Sequence, residues 1–200
     1  MTDVTTSHLD LGCGSAPRNP YRREQVFGID LGESSRVVNG CRIDSCNLTL
    51  LPIPHADSSF DSVSAFDFLE HVPRVLPSAD GRSTFNPFVR LMNEISRVLK
   101  PGGRLYAVTP CYPSPQAFQD PTHVNIITAQ THLYFTGPAP MARMYGFDGH
   151  FSACRVEWVV FGDAVEAGRP MNLHQRFRRW NYRRKGKLSH LLWEFQREPG

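Results

Sequence analysis

His8-Leu9-Asp10-Leu11-Gly12-Cys13-Gly14-Ser15-Ala16-Pro17 is the stretch that decides the fold. A short apolar run ends in an acid and a glycine-bracketed turn, and Pro17 stands where a following helix can begin, its missing N–H dispensable in a first turn. The pattern reads as a strand feeding a ligand-binding turn. Gly12 and Gly14 permit positive φ and close backbone approach, and the free N–H groups of a new helix would face the same point. A glycine pair alone commonly makes only a turn, so the distances to later residues decide.

At 200 residues, with 40% hydrophobic and 20% charged content, the chain is long enough for one well-cored domain and short for two, so residues 1–200 are expected to form a single domain. The first residues are polar, no apolar run approaches the roughly 20 residues of a membrane span, and no signal peptide is visible. Five scattered cysteines without a C-x-x-C pair suit a reducing compartment, and the expected location is cytoplasmic.

Downstream, short apolar runs ending in an acid recur at Val26 to Asp30 and Cys41 to Asp44, and Phe60 to Phe66 and Arg104 to Thr109 are further strand candidates. Phe85, Phe88, Val89, Met92, Ile95 and Leu99 recur at three- and four-residue spacing and predict a helix, with Asn86-Pro87 as its cap and first turn and Lys100-Pro101-Gly102-Gly103 as its stop. Strands alternating with crossovers predict an α/β fold with a doubly wound parallel sheet, its ligand crevice beyond the carboxyl ends of the strands. Asp30 lies 16 residues after Gly14, near the separation at which a carboxylate accepts both ribose hydroxyls of a nucleoside. A dinucleotide fingerprint would need a third glycine where Pro17 stands, and there is no G-x-x-x-x-G-K-[ST]. What remains is an adenosine-containing ligand without a pyrophosphate.

Leu9-Asp10-Leu11-Gly12-Cys13-Gly14, Phe27-Gly28-Ile29-Asp30, Leu51-Pro52 through Ser59-Phe60-Asp61, Leu69-Glu70-His71-Val72 and Glu94 through Gly103 together resemble the successive motifs of class I S-adenosylmethionine-dependent methyltransferases, nearest the small Rossmann-like type 11 branch. The resemblance implies a seven-stranded sheet of order 3-2-1-4-5-7-6 in a three-layer sandwich. Arg155–Phe161 and His190–Arg197 would be the final antiparallel pair. It implies that Asp10, Gly12, Cys13 and Gly14 hold the methionine moiety, Asp30 the ribose, and Leu31 the adenine flank. Asp44 with Ser45 would meet the adenine amino group, while Phe66 and Asp67 would lie beside the methionine, with His71 following. The cofactor would be S-adenosylmethionine, leaving as S-adenosylhomocysteine. Two departures stand out: Ala16 replaces the family's third glycine, and only seven residues precede the first strand, where relatives carry N-terminal cap helices. The substrate cover must then come from elsewhere or from a second copy in a homodimer.

Residues 8–110 therefore read as the cofactor-binding half, 111–154 as a substrate-covering insertion and 155–200 as the final strand pair with a basic connection. A connection as long as Pro110–Cys154 is usually functional. Within it Asp120-Pro121-Thr122-His123-Val124-Asn125 offers His123 as general base and Asp120 as its orienting carboxylate. Tyr112, Tyr134 and Tyr145 are candidates for the pocket wall. No metal site is expected, since His123 and His132 are nine apart and no H-E-x-x-H occurs. Arg169–Lys187 carries eight Lys/Arg and no acid, with Phe177, Trp180 and Tyr182 interleaved. It is either a docking surface for nucleic acid or another anionic partner, or a helix whose Leu173, Phe177 and Trp180 pack on the sheet. The expected activity is in-line methyl transfer to a small-molecule or glycan acceptor, at oxygen. The alternatives are an RNA or protein methyltransferase, or a non-catalytic S-adenosylmethionine-binding protein.

Overall fold

A computed structural model describes residues 5–199, so residues 1–4 of the polar stretch before the first strand lie outside it. Among the described residues ten strands form: β1 (Ser7–Leu11), β2 (Gln25–Asp30), β3 (Arg36–Val38), β4 (Cys41–Ser45), β5 (Phe60–Phe66), β6 (Leu76–Pro77), β7 (Thr84–Phe85), β8 (Leu99–Pro110), β9 (Phe151–Val159) and β10 (His190–Arg197). The helices are α1 (Pro87–Val98), the single turn α2 (Gln116–Gln119) and α3 (Leu173–Arg184). Eight strands make one sheet of order β3-β4-β2-β1-β5-β8-β10-β9, while β6 and β7 form a separate ribbon. From β4 to β9 this is the expected 3-2-1-4-5-7-6 order, with β3 added as an antiparallel eighth strand at the edge. The α/β Rossmann-like class holds.

The pleat sorts the sheet into two faces. Leu9, Leu11, Val63, Ala65, Leu105, Ala107, Leu191 and Trp193 point toward α1, which buries Phe88, Leu91, Met92 and Ile95 against them. Pro87 opens that helix after Asn86, as the sequence predicts. The final strand pair is in place, although β9 spans Phe151–Val159 and so starts earlier than the expected Arg155–Phe161. The other face carries Phe66, Tyr106, Val108 and Leu192 in a smaller apolar cluster, beside a polar seam at the centre of the sheet. In that seam His8 bonds Ser62 and Ser64 through its two ring nitrogens, at 2.8 Å each, and Ser64 donates to Asp10 at 2.5 Å.

Two expectations fail. No helix follows β1: residues 12–24 are turns and bends, closed by the Arg18 N–H donating to Asp10 at 2.8 Å. Pro20 supplies the reason, because it lacks a donor and biases Asn19 away from helical backbone, leaving too little chain for a stable helix before β2. The layer over this face is thus irregular chain. Secondly, α3 does not pack its apolar residues on the sheet; Leu173, Phe177 and Trp180 are 83%, 65% and 52% exposed. Its opposite side is tethered by charge, with Arg178 on Asp163 and Arg179 on Glu157 at 2.6 Å each. Among the described residues no helix is long and apolar enough to cross a membrane.

Burial pushes His8 down to about 3. The unfolded chain therefore binds a proton on His8 that the folded chain refuses, and stability falls as pH drops from about 6.5 toward 3. His8→Gln should remove up to about 1.4 kcal/mol per pH unit of that slope in urea unfolding between pH 4 and 6.5. An unchanged slope would show that His8 titrates alike in both states.

Candidate active site

At the carboxyl ends of β1, β2 and β5 lies a cavity of about 370 Å³, bordered by Gly12, Asp30, Leu31, Asn47, Asp67, Phe68 and His71. Its floor is the turn after β1, where Gly12 and Cys13 both donate backbone N–H groups to Ile29 O, at 2.9 and 3.2 Å. Gly12 has φ +65°, and a Cβ there would lie 2.4 Å from the Phe68 ring, so only glycine lets that ring close over the turn. Gly14, also at positive φ, donates its N–H to the Asp30 carboxylate at 2.6 Å. A carboxylate held this way beside an open cavity keeps its other oxygen for a ligand's hydroxyls.

The expected cofactor residues divide into two groups. Gly12, Asp30, Leu31, Asp67 and His71 border the cavity, with Gly14 bracing Asp30. Asp10, by contrast, is 1% exposed and faces the opposite side of the sheet, its oxygens taken by Ser64 and the Arg18 N–H. It fixes the turn without touching the cavity, and burial, opposed by those bonds, pushes it up to about 6. The Cys13 side chain packs beneath the turn against Gly28, where a Cβ would meet Sγ at 2.5 Å. Asp44 is buried between Arg42 (2.8 Å) and His55 (3.3 Å), and Ser45 donates to Gly32 O, so neither borders the cavity. Cys46 and Asn47 line that edge instead. Phe66 belongs to the far-face cluster, with the Arg18 guanidinium 4.9 Å from its ring centroid. Strand alternation explains the miss: Phe66 shares its face with Ser62 and Ser64, whereas Phe68, past the strand end, turns back over Gly12.

The insertion meets the pocket at one place. Val124 and Asn125 both donate N–H groups to Glu70 O, at 3.0 and 2.9 Å, and the Asn125 amide donates to Leu69 O at 3.0 Å. Arg74 in turn donates to Asn125 Oδ1 at 2.7 Å. This clasp sets the His123 ring edge-on to His71, centroids 4.8 Å apart. His123 Nε2 lies 3.9 Å from Asp120 Oδ2 and the same distance from Glu70 Oε1. Thr122 Oγ1 is 3.0 Å from His71 Nδ1 and donates to Asp120 Oδ1 at 2.6 Å. Only His71 of the two imidazoles borders the cofactor cavity, and His123 stands behind it. Glu70 is the member that sequence reading left out of the site; it is 1% exposed and pushed up to about 7 by burial, with the Thr109 hydroxyl opposing. Asp67, at the pocket rim, pairs with His190 at 3.1 Å.

A second cavity, of about 480 Å³, opens at the first turn of α1 between Val75, Phe88, Gln130, Thr131, Tyr134 and Tyr145. Tyr134 and Tyr145 thus wall a pocket, whereas Tyr112 does not border either cavity.

Residues 9–107 match the family described as Methyltransferase domain, of the type 11 branch. The chain belongs to the class I S-adenosylmethionine-dependent methyltransferases. Solved structures agree at the level of fold. A Haloferax volcanii methyltransferase, solved in complex with the Trm112 activator, has 13% identity and a TM-score of 0.58, covering 98% of this chain and 84% of that one. YcgJ from Bacillus subtilis has 15% identity and a TM-score of 0.56 over 98% and 93%. Geranyl diphosphate C-methyltransferase from Streptomyces coelicolor, solved with Mg2+, geranyl diphosphate and S-adenosylhomocysteine, has 16% identity and a TM-score of 0.54 over 96% and 71%. No curated protein matches the chain by sequence. The cofactor of this methyltransferase is S-adenosylmethionine, and the cavity suits it. Its volume lies in the roughly 300–1,000 Å³ range of small-molecule sites, and the Gly12–Phe68 contact leaves a backbone-lined floor.

Gly28→Ala should cost about 1–3 kcal/mol in urea unfolding, because its Cβ would press on Cys13 Sγ at 2.5 Å and Pro17 Cγ at 2.9 Å. Cys13→Ala in the same chain should restore part of that loss. No restoration would mean that the clash is not with the thiol.

Proposed function

We propose that the chain transfers the methyl group of S-adenosylmethionine in line to a hydroxyl of a small-molecule or glycan acceptor. The observation that carries this reading is the clasp of residues 120–125 onto Glu70, which gathers two imidazoles and a carboxylate beside the cofactor cavity. A sulfonium needs no help to leave, so the protein's tasks are to align the acceptor, exclude water and deal with one proton. The Asp30 carboxylate binds the ribose and the Gly12–Gly14 backbone the methionine end. The acceptor enters from the side of Tyr134 and Tyr145, and its hydroxyl is activated at the Glu70–His71–His123 cluster, with Asp120 orienting through Thr122. Residues 8–110 hold the cofactor, 111–154 cover the acceptor and 155–200 complete the sheet of one functional unit.

A second reading rests on α3, whose exposed Leu173, Phe177 and Trp180 lie within the basic stretch Arg169–Lys187. Rings beside cations suit an RNA acceptor docked there, and its mark would be binding that weakens steeply with salt.

The test is transfer from methyl-labelled cofactor to fractionated small-molecule, glycan and RNA pools. His71→Ala and His123→Ala should each lower turnover about 10²–10⁴-fold, and His123→Ala, whose side chain does not border the cavity, should keep S-adenosylhomocysteine affinity within about threefold of wild type. Label appearing only in RNA, or full turnover in both variants, would overturn the proposal.

A further inference from the structure

The cluster beside the cofactor cavity has the composition and the outer support of a metal centre. We infer that Glu70, His71 and His123 bind one divalent cation of the zinc class, which activates the acceptor hydroxyl. This rests on the methyl-transfer reading above and gives its proton step a means.

One donor atom from each of the three residues lies within 4.8 Å of the others. A tetrahedral ion at 2.0–2.1 Å from its ligands sets them about 3.3 Å apart, so small side-chain rotations close the site. Two of the three donors, on Glu70 and His71, are already oriented by the groups behind them. Thr109 donates to Glu70 Oε2 at 2.8 Å, which leaves Oε1 buried without a hydrogen-bond partner. A nearly inaccessible carboxylate oxygen with no donor of its own calls for a cation. Thr122 Oγ1 gives its proton to Asp120 and so offers His71 Nδ1 a lone pair, fixing the hydrogen on Nδ1 and freeing Nε2 as a ligand. His123 Nε2 faces both Glu70 and Asp120, while Nδ1 is buried without a partner. Two imidazoles and one carboxylate are a donor set that zinc prefers over magnesium or calcium, and three protein ligands leave a position open for an oxygen.

In that position an acceptor hydroxyl becomes acidic enough to lose its proton to solvent near neutral pH. The oxygen's electron pair forms the new O–CH3 bond as the C–S bond breaks, its pair returning to sulfur to give S-adenosylhomocysteine. No oxidant or further reactant is needed. Local spacing could not reveal the site, since 51 residues separate Glu70-His71 from His123 in the sequence.

The experiment is titration of the chelator-stripped full chain with Zn2+ by calorimetry and with Co2+ by visible absorption. One equivalent should bind, with Co2+ bands of tetrahedral type. The double variant His71→Ala/His123→Ala should weaken Zn2+ at least about 100-fold, and Thr122→Val, which touches no metal, about 10–100-fold. The exposed His174→Ala should bind as wild type. Cooperative urea unfolding of each variant reports that the fold persists. Zn2+ affinity unchanged in the double variant, or no binding by the wild type, would overturn the inference. Full transfer by stripped protein, abolished by His71→Ala, would also remove the cation while leaving the methyl-transfer reading intact.

Discussion

The buried Asp10 carboxylate is the constraint on which the rest of the structure depends. Its two oxygens join three pieces of chain that the sequence leaves apart: β1 itself, β5 through Ser64, and the irregular connection through the Arg18 N–H. Because that connection has no helix to stiffen it, the bond to Arg18 stands in for helical hydrogen bonding. The turn it fixes presents Gly12 to Phe68 and Gly14 to Asp30, and both contacts shape the cofactor cavity. Removing the carboxylate would leave the Arg18 N–H without its acceptor and the Ser64 hydroxyl with His8 alone, and an unpaired buried donor costs more than the bond itself contributes.

From this floor the site is assembled outward by backbone bonds rather than by side-chain packing. Glu70 O receives Val124 and Asn125, and this pairing carries His123 from a distant loop to the back of His71. The clasp lies on a short 3-10 turn, Leu69–His71, whose first two residues are buried, so the Glu70–His71–His123 cluster is anchored to the core beside the sheet edge. The segment between β8 and β9 is thereby docked onto the turn that follows β5. The cost falls on α3, which is held at arm's length by Arg178 and Arg179 and leaves three large apolar side chains in solvent.

How much of this was legible depended on how local the signal was. The alternation in β5 and β10 and the three-four spacing of α1 are local, and each matches the element that forms; the Gly14-to-Asp30 interval brings those two residues into hydrogen-bond contact. Phe66 was misplaced even though period-two alternation puts it on the far face with Ser62 and Ser64; the family's motif order outweighed a parity that was readable. Asp44 was misread because its partner His55 is brought in by the loop after β4, which no spacing rule covers. Pro17 has the signature of a helix start, but Pro20 three residues later cancels it. Leu173, Phe177 and Trp180 have a helix's spacing, and spacing tells of amphipathicity but not of what the apolar side meets.

If the turn held by Asp10 is the floor of the cofactor site, its open end faces the Glu70–His71–His123 cluster. A crystal structure of the chain with S-adenosylhomocysteine tests it most directly. Both ribose hydroxyls should lie on Asp30, the methionine end over Gly12 and the sulfur toward Phe68 and His71. A ribose placed away from Asp30, or a sulfur directed away from His71, would contradict it.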